Sequence, residues 1–423
     1  MRLLYSFAWW LALPLVLARL WWRGRKEVGY RRHVAERLGF YHGIAADPLR
    51  PLLWVHAVSV GETRAAEPLI DSLLVAYPDA TVLLTHMTPT GRATGRALFG
   101  KHGQRVMQAY LPYDTGWMVR RFLRHFQPRL CALMETEVWP NLIAGCVRHG
   151  VPVALLNARL SERSLAKAQR LSALMREAAA SFACIAAQTE SDAARLRQLG
   201  ATNVHVTGNI KFDVAPPQEM LIRGAALRGQ FGSRPVLLCA STRDGEEQLI
   251  LDALARCDLQ QALVVIVPRH PQRFDEVARM AAQRNLMLCR RSELGSAWVG
   301  PEVRILLGDS MGEMFAYYAA CDVAFIGGSL LPLGGQNLIE ACALGKPVLI
   351  GPHTHNFLAI SADAVAAGAA LRVADATAML NEARRLLQSD VERIVMGAKA
   401  KAFAQQHRGA TARTMALLTS LLS

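Results

Sequence analysis

Four short stretches of this chain carry side chains able to do chemistry, and each stands where an apolar run gives way to a turn. HAVSVGE, 56–62, ends in Glu62 behind Ser59, Val60 and Gly61. METEVWPN, 134–141, carries two carboxylates, Glu135 and Glu137. VPRHP, 267–271, sets Arg269 between Pro268 and Pro271. GGSLLPLGGQNLIEACALGKPVLIGP, 327–352, places Gly334 and Gly335 before Gln336 and Asn337, and Leu338 and Ile339 then lead to Glu340 on a helical stretch. A carboxylate at such a position can take a proton from a reacting group. A guanidinium offers a fork matched to phosphate. Glycines and a helix start let backbone N–H groups approach a phosphate, and a glutamate one turn on can accept from a ribose diol. A fifth stretch, GDSMGEM, 308–314, has the form of a helix start with Asp309 or Ser310 as its cap, followed by Met311, Gly312 and Glu313.

Each feature also has a plainer use. An acidic residue in the first turn of a helix faces the positive end of the macrodipole and stabilises by about 0.3–1 kcal/mol, with no catalytic role. Trp139 and Pro140 can simply start a helix, and Arg269 can be a solvated loop residue. His353 and His355 in GPHTHNF have no acidic neighbour and make a poor metal pair. Neither a D-x-D pair nor a Walker A loop occurs, so a metal-bridged nucleotide diphosphate and an NTPase are both unsupported.

The elements that must position these groups follow from hydrophobic patterning. Continuous apolar runs of strand length recur from residue 51 onward: LLWVHA, TVLLTHM, RVMQAYL, RLCALME, VPVALLNA and SFACIAAQT in the first half. PVLLCAS, ALVVIVP, NLMLC, VRILLG, DVAFIGG, KPVLIG and AALRV follow in the second. Helical stretches separate them, which predicts parallel sheets covered on both faces. The expected organisation is α/β: a membrane helix over 1–22, a basic segment over 23–47, a Rossmann-like domain over 48–212 and a linker over 213–224 around Pro216 and Pro217. A second Rossmann-like domain over 225–400 and a C-terminal helix over 401–423 complete it. Two such domains facing each other form a cleft, and ligands of these sheets bind at the carboxyl ends of the strands.

Composition narrows the function classes. The chain has 423 residues, 52% hydrophobic and 19% charged, with a net charge of +14. A large core follows, and the positive balance points to an anionic partner. No zinc-type cysteine spacing or basic nucleic-acid motif appears, so nucleic acid is not expected. The eight cysteines are scattered without a C-x-x-C pair and read as small buried hydrophobes. At the N-terminus, Leu3 to Trp22 is apolar apart from Ser6 and Arg19, and Arg23, Arg25, Lys26, Arg31, Arg32 and Arg37 follow. Its length just suffices to span a bilayer, and the basic flank would put the following domain in the cytoplasm. A helix lying flat on the membrane is the alternative, because Pro14 and Arg19 interrupt the run. A cleaved signal peptide fits less well, since the basic cluster stands on the wrong side.

Taken in order, HAVSVGE, METEVWPN, TGNIKFD, VPRHP, GDSMGE, GGSL, GGQN-x-x-E and GPHT resemble the 3-deoxy-D-manno-octulosonic acid (Kdo) transferases of Gram-negative bacteria, over essentially the whole chain. The resemblance implies a GT-B glycosyltransferase with two Rossmann-like domains. It implies transfer of Kdo from CMP-Kdo to a lipid A precursor, lipid IV-A, with inversion, without metal or other cofactor, at the cytoplasmic face of the inner membrane among anionic lipids. The glutamate of S-V-G-E, here Glu62, would be the general base, and Ser59, Gly61, Glu135 and Glu137 would face the acceptor. CMP binding maps to Pro268, Arg269, Met311, Gly312, Glu313, Asn337, Leu338, Ile339 and Glu340. Two positions depart from the family pattern: Gln336 stands for its histidine in G-G-H-N, and His355 follows G-P-H-T where phenylalanine is usual. Two other classes share much of this outline, a GT-B nucleotide-sugar epimerase and an inactive nucleotide-sugar-binding membrane protein.

Overall fold

The computed structural model describes residues 1–423 except 26, 45, 46, 171, 214, 258, 260 and 423, so Lys26 of the basic flank lies outside the described residues. The chain divides into two compact units, Met1–Asp213 with Gly409–Ser423, and Val214–Arg408.

The first unit is built on seven strands: β1 (Leu52–His56), β2 (Thr81–His86), β3 (Val106–Tyr110), β4 (Leu130–Met134), β5 (Val153–Ala158), β6 (Cys184–Ala187) and β7 (Val204–Val206). They pair in parallel in the order β3-β2-β1-β4-β5-β6-β7. The second unit repeats the plan with β8 (Val236–Thr242), β9 (Leu263–Pro268), β10 (Leu288–Arg290), β11 (Ile305–Leu307), β12 (Val323–Ile326), β13 (Val348–Ile350) and β14 (Ala370–Arg372). Their order is β10-β11-β9-β8-β12-β13-β14, again parallel. Every residue of β1, β2, β4, β5, β9 and β12 is buried, as expected of strands covered by helices on both faces.

The connections reverse direction between β1 and β4 in the first sheet and between β8 and β12 in the second. At such a switch point two adjacent strands send their following loops to opposite faces, which opens a crevice at their carboxyl ends.

Several expectations need adjusting. β7 has no counterpart among the sequence-derived strands; its three residues sit at a sheet edge with His205 and Val206 exposed, so no apolar run marks them. The helix Gln218–Phe231 starts straight after Pro217, so 218–224 is helical rather than linker. The segment 401–423 is not one helix: Asp390–Gln406 ends at His407, and Ala410–Leu422 forms a separate helix within the first unit. Asp213 fixes that return, because its carboxylate accepts the N–H groups of Gly409, Ala410 and Thr411 at the start of the last helix. Arg37, counted with the basic flank, is 1% exposed and stacks over the Tyr110 ring at 3.9 Å, so it adds no surface charge. All eight cysteines are free, six of them buried.

Candidate active site

Glu62 stands in the first turn of the short helix Val60–Ala65, directly after β1. Ser59 is the N-cap, and its hydroxyl oxygen accepts the Glu62 N–H at 3.4 Å. The carboxylate reaches back. Its Oε1 accepts from the Ser59 hydroxyl at 2.8 Å and its Oε2 from the Val58 N–H at 2.9 Å. This is a capping box with its return bond one residue earlier than usual. The plain helix-start role is therefore real, and it holds the carboxylate in one orientation. Burial, the largest cause, pushes the Glu62 carboxyl above the ordinary glutamate value, Glu135 adds to the rise, and the two hydrogen bonds and Lys211 oppose it. A Cβ on Gly61 would meet only Ser59 Oγ at 4.0 Å, so no protein contact demands glycine there, and the space beside Glu62 stays open.

The loop after β4 brings the other two carboxylates to the same place, because β4 pairs with β1. Glu135 is 6% exposed with φ +59°, an uncommon backbone state for a non-glycine residue. Lys211 Nζ lies 2.5 Å from its Oε1 and Arg159 Nε 3.5 Å from its Oε2. Glu137 accepts from the Trp139 indole N–H at 2.7 Å. Burial, then the negative charge of Glu62, pushes its carboxyl up to about 7. The structure thus gathers Ser59, Gly61, Glu62, Glu135 and Glu137 at the switch point of the first sheet.

It also adds a residue to which the sequence assigned no role. Lys211 lies in the turn Ile210–Phe212, held by Asn209, whose side chain accepts the Lys211 N–H at 3.0 Å, and by Asn157, whose Oδ1 accepts the Ile210 N–H at 3.0 Å. The signal was a lone lysine between two apolar residues in TGNIKFD. The three carboxylates are unequal in consequence. Glu135 is neutralised by Lys211 and Arg159, and Glu137 is pushed toward its neutral form. Glu62 forms no direct ion pair among the described residues, so it is the group best placed to accept a proton.

In the second unit the switch point is organised by Glu246, another residue unmarked in the sequence reading. It is 0% exposed. Its Oε2 accepts the N–H groups of Arg243 at 2.9 Å and Gly328 at 2.5 Å, and its Oε1 that of Leu330 at 2.9 Å. One carboxylate therefore ties the loop after β8 to the loop after β12. Pro268 ends β9, and Arg269 follows with its N–H donated to the Thr242 carbonyl at 2.9 Å. Its side chain is exposed and forms no ion pair with a carboxylate among the described residues. After β11, Met311 is 66% exposed and Gly312 has φ +83°, with nothing within 4 Å of an added Cβ.

The remaining expected nucleotide contacts are more constrained. Glu313 accepts from the Ser310 hydroxyl at 2.6 Å and faces Arg223 at 3.1 Å and Arg291 at 3.6 Å. Asn337 Oδ1 accepts the Ile339 N–H at 3.1 Å, starting a helix of only five residues, Ile339–Ala343. Leu338 and Ile339 are 0% exposed, so their side chains belong to the core and only their main chain is left for a ligand. Glu340, in the first turn, is half-buried. The glycine pair has a structural cause: Gly334 and Gly335 have φ +96° and +76°, and a Cβ on Gly334 would also stand 2.1 Å from Asn356 Nδ2.

Comparison with known proteins extends the picture. Residues 32–214 match a family model described as 3-deoxy-D-manno-octulosonic-acid transferase (kdotransferase). A 3-deoxy-D-manno-octulosonic acid transferase of Bordetella pertussis is 48% identical over 418 residues, 97% of this chain and 96% of the relative. The protein of the same name from Haemophilus influenzae is 36% identical over 429 residues, 100% of this chain and 99% of the relative. Among solved structures, a glycosyltransferase from Rickettsia africae covers 89% of this chain and 99% of its own at 11% identity, with a TM-score of 0.60. A UDP-GlcNAc 2-epimerase from Neisseria meningitidis bound to UDP-GlcNAc covers 88% of this chain and 100% of its own at 16% identity, with a TM-score of 0.58. Those two structures share the fold alone, and transferase and epimerase fit it equally well.

Proposed function

The chain belongs to the 3-deoxy-D-manno-octulosonic acid transferase family, with the GT-B fold, and from that premise we propose that it transfers Kdo from CMP-Kdo to a hydroxyl of a lipid A precursor, lipid IV-A, in lipopolysaccharide biosynthesis. The observation that carries this reading is Glu62: a carboxylate of raised proton affinity, fixed by two hydrogen bonds and without a direct cation partner among the described residues, at the switch point of the first sheet. An acceptor hydroxyl beside the open face at Gly61 loses its proton to Glu62 as its oxygen attacks the anomeric carbon of Kdo. One direct displacement inverts that centre, and CMP departs.

Lys211 and Glu135 act beside the base. The lysine neutralises Glu135 and lowers the negative field that would otherwise press Glu62 toward its protonated form. Glu137, held by Trp139, offers the acceptor sugar a hydrogen-bonding partner. In the second unit, Arg269 and the main chain of 311–313 and 337–340 receive CMP; a guanidinium with no carboxylate partner among the described residues can take up the charge that develops on the leaving phosphate. No metal or cofactor enters this scheme. The site works at the cytoplasmic face of the inner membrane, where Arg23, Arg25, Arg31 and Arg32 meet anionic headgroups.

An epimerase shares the fold, but the near-full-length relatives at 48% and 36% identity favour the transferase. Mass spectrometry of products from purified protein, CMP-Kdo and lipid IV-A tests the reading directly: a mass increase of one or more Kdo units supports it. An unchanged acceptor, together with thermal stabilisation by UDP rather than CMP, would replace it with the epimerase.

A further inference from the structure

The helix Arg2–Arg23 is long and apolar enough to cross a membrane, yet only 6% of its apolar window is buried. It is nonetheless fastened to the first unit along its length. Arg2 pairs with Glu177 at 3.1 Å. The Ser6 hydroxyl and the Asn141 amide exchange hydrogen bonds at 3.2 and 3.0 Å. Trp9 stacks on Tyr113 with ring centroids 5.8 Å apart, and Leu20 is buried. At the far end the Arg31 Nε donates to the Trp21 carbonyl at 3.2 Å. The partly buried positions 2, 5, 6, 9, 12, 13, 16, 17 and 20 recur at helical spacing, which is one face of the helix. The other face presents Leu3, Phe7, Leu11 and Leu15, 87%, 62%, 65% and 74% exposed, with Leu4 and Trp10 beside them.

We infer that this helix does not span the bilayer but lies in its plane, protein on one face and lipid on the other. A helix of 22 residues is about 33 Å long, the thickness of the hydrocarbon core, so crossing would carry Arg2 and Ser6 to the opposite leaflet. Glu177, Asn141 and Tyr113 belong to the folded unit and cannot follow. The occupant of the exposed face is the acyl and headgroup boundary of an anionic membrane. Arg19, Arg23 and Arg25 are exposed at its C-terminal end, and none pairs with a carboxylate among the described residues. Trp10, Trp21 and Trp22, all exposed, suit the interfacial layer.

The placement matters for the reaction proposed above, on which this part of the inference rests. Tyr113 follows β3, and Asn141 starts the helix that follows METEVW. The N-terminal half of the membrane helix is therefore packed on loops at the carboxyl end of the first sheet, the edge that carries Glu62, Glu135 and Glu137. The bilayer surface runs beside that edge, so a lipid-linked sugar hydroxyl can approach the base while its acyl chains stay in the membrane.

A protease-cleavable tag ahead of Met1 reads the orientation in the full-length protein. The tag should resist protease added to intact spheroplasts and be cut in inverted vesicles; cleavage from outside in spheroplasts would show a span and overturn the inference. The lipid face is read with Phe7→Asp/Leu11→Asp, whose altered side chains are exposed. Sedimentation with phosphatidylethanolamine–phosphatidylglycerol vesicles in high salt should fall by at least about tenfold, since two large apolar side chains leave the lipid. Unchanged sedimentation would place the lipid contact elsewhere. Kdo transfer is measured in the same membranes: its absence with the tag still protected would strike the functional reading and leave the orientation standing.

Discussion

Glu62→Gln isolates the proton-accepting role of the proposed base. The amide can keep both contacts of the carboxylate, its oxygen accepting the Val58 N–H and its NH₂ donating to Ser59 Oγ, which now stand at 2.9 and 2.8 Å. Exchanging two charge-assisted bonds for neutral ones loses about 1 kcal/mol each. Removing a half-buried charge, whose burial is the main reason its carboxyl is raised, returns part of that loss. Stability should therefore change by no more than about 1 kcal/mol, and CMP binding not at all. Turnover is different. A general base contributes about 10²–10⁴-fold, or about 2.7–5.4 kcal/mol of activation free energy. The assay is initial-rate transfer of Kdo to detergent-dispersed acceptor, with melting temperature and calorimetric CMP affinity measured on the same preparation. A companion variant checks the mechanism. The Ser59 hydroxyl lowers the Glu62 pKa, so Ser59→Ala should move the acid limb of the kcat/KM profile to higher pH. Glu62→Gln activity within a few-fold of the unmodified protein, at unchanged stability, would refute the assignment.

Three further outcomes follow from the same geometry. The Glu137 carboxyl is raised to about 7, so its stabilising contribution is fully present below the ordinary value of 4.5 and is lost as pH rises through 7; Glu137→Gln should therefore raise the melting temperature at pH 8 and leave it nearly unchanged at pH 4.5. Lys211→Met leaves the buried Glu135 with Arg159 at 3.5 Å as its one cation partner among the described residues and should cost about 3 kcal/mol in chemical denaturation, along with most of the activity. Arg269→Ala should weaken CMP binding by roughly 10–150-fold, equivalent to about 1.5–3 kcal/mol for a charge-assisted contact, and unchanged calorimetric affinity would make it a bystander.

The sequence by itself determined the fold class and the strand ends that matter. Continuous apolar runs between helical stretches admit only parallel sheets covered on both faces, and thirteen of the fourteen described strands are visible as such runs. β7 is the exception, because a three-residue edge strand buries too little to need an apolar pattern. Glu62 was legible because a carboxylate immediately after a strand and a glycine turn is a local feature. Its neighbours were not. Lys211 and Glu135 are 76 residues apart in sequence, and only the pairing of β1 with β4 and the turn after β7 bring them together beside Glu62. Glu246 was hidden for the same reason: its value lies in main-chain groups 82 and 84 residues away. Tertiary structure also narrowed one local reading. Leu338 and Ile339 sit within a motif that reads as a nucleotide loop, and because their side chains fill the core only their main chain is left for a ligand. The N-terminal helix shows the division most plainly. Its composition makes it long and apolar enough to meet lipid, whereas the orientation inferred above depends on Glu177, Asn141 and Tyr113, distant residues that hold one of its faces to the protein and leave the other exposed.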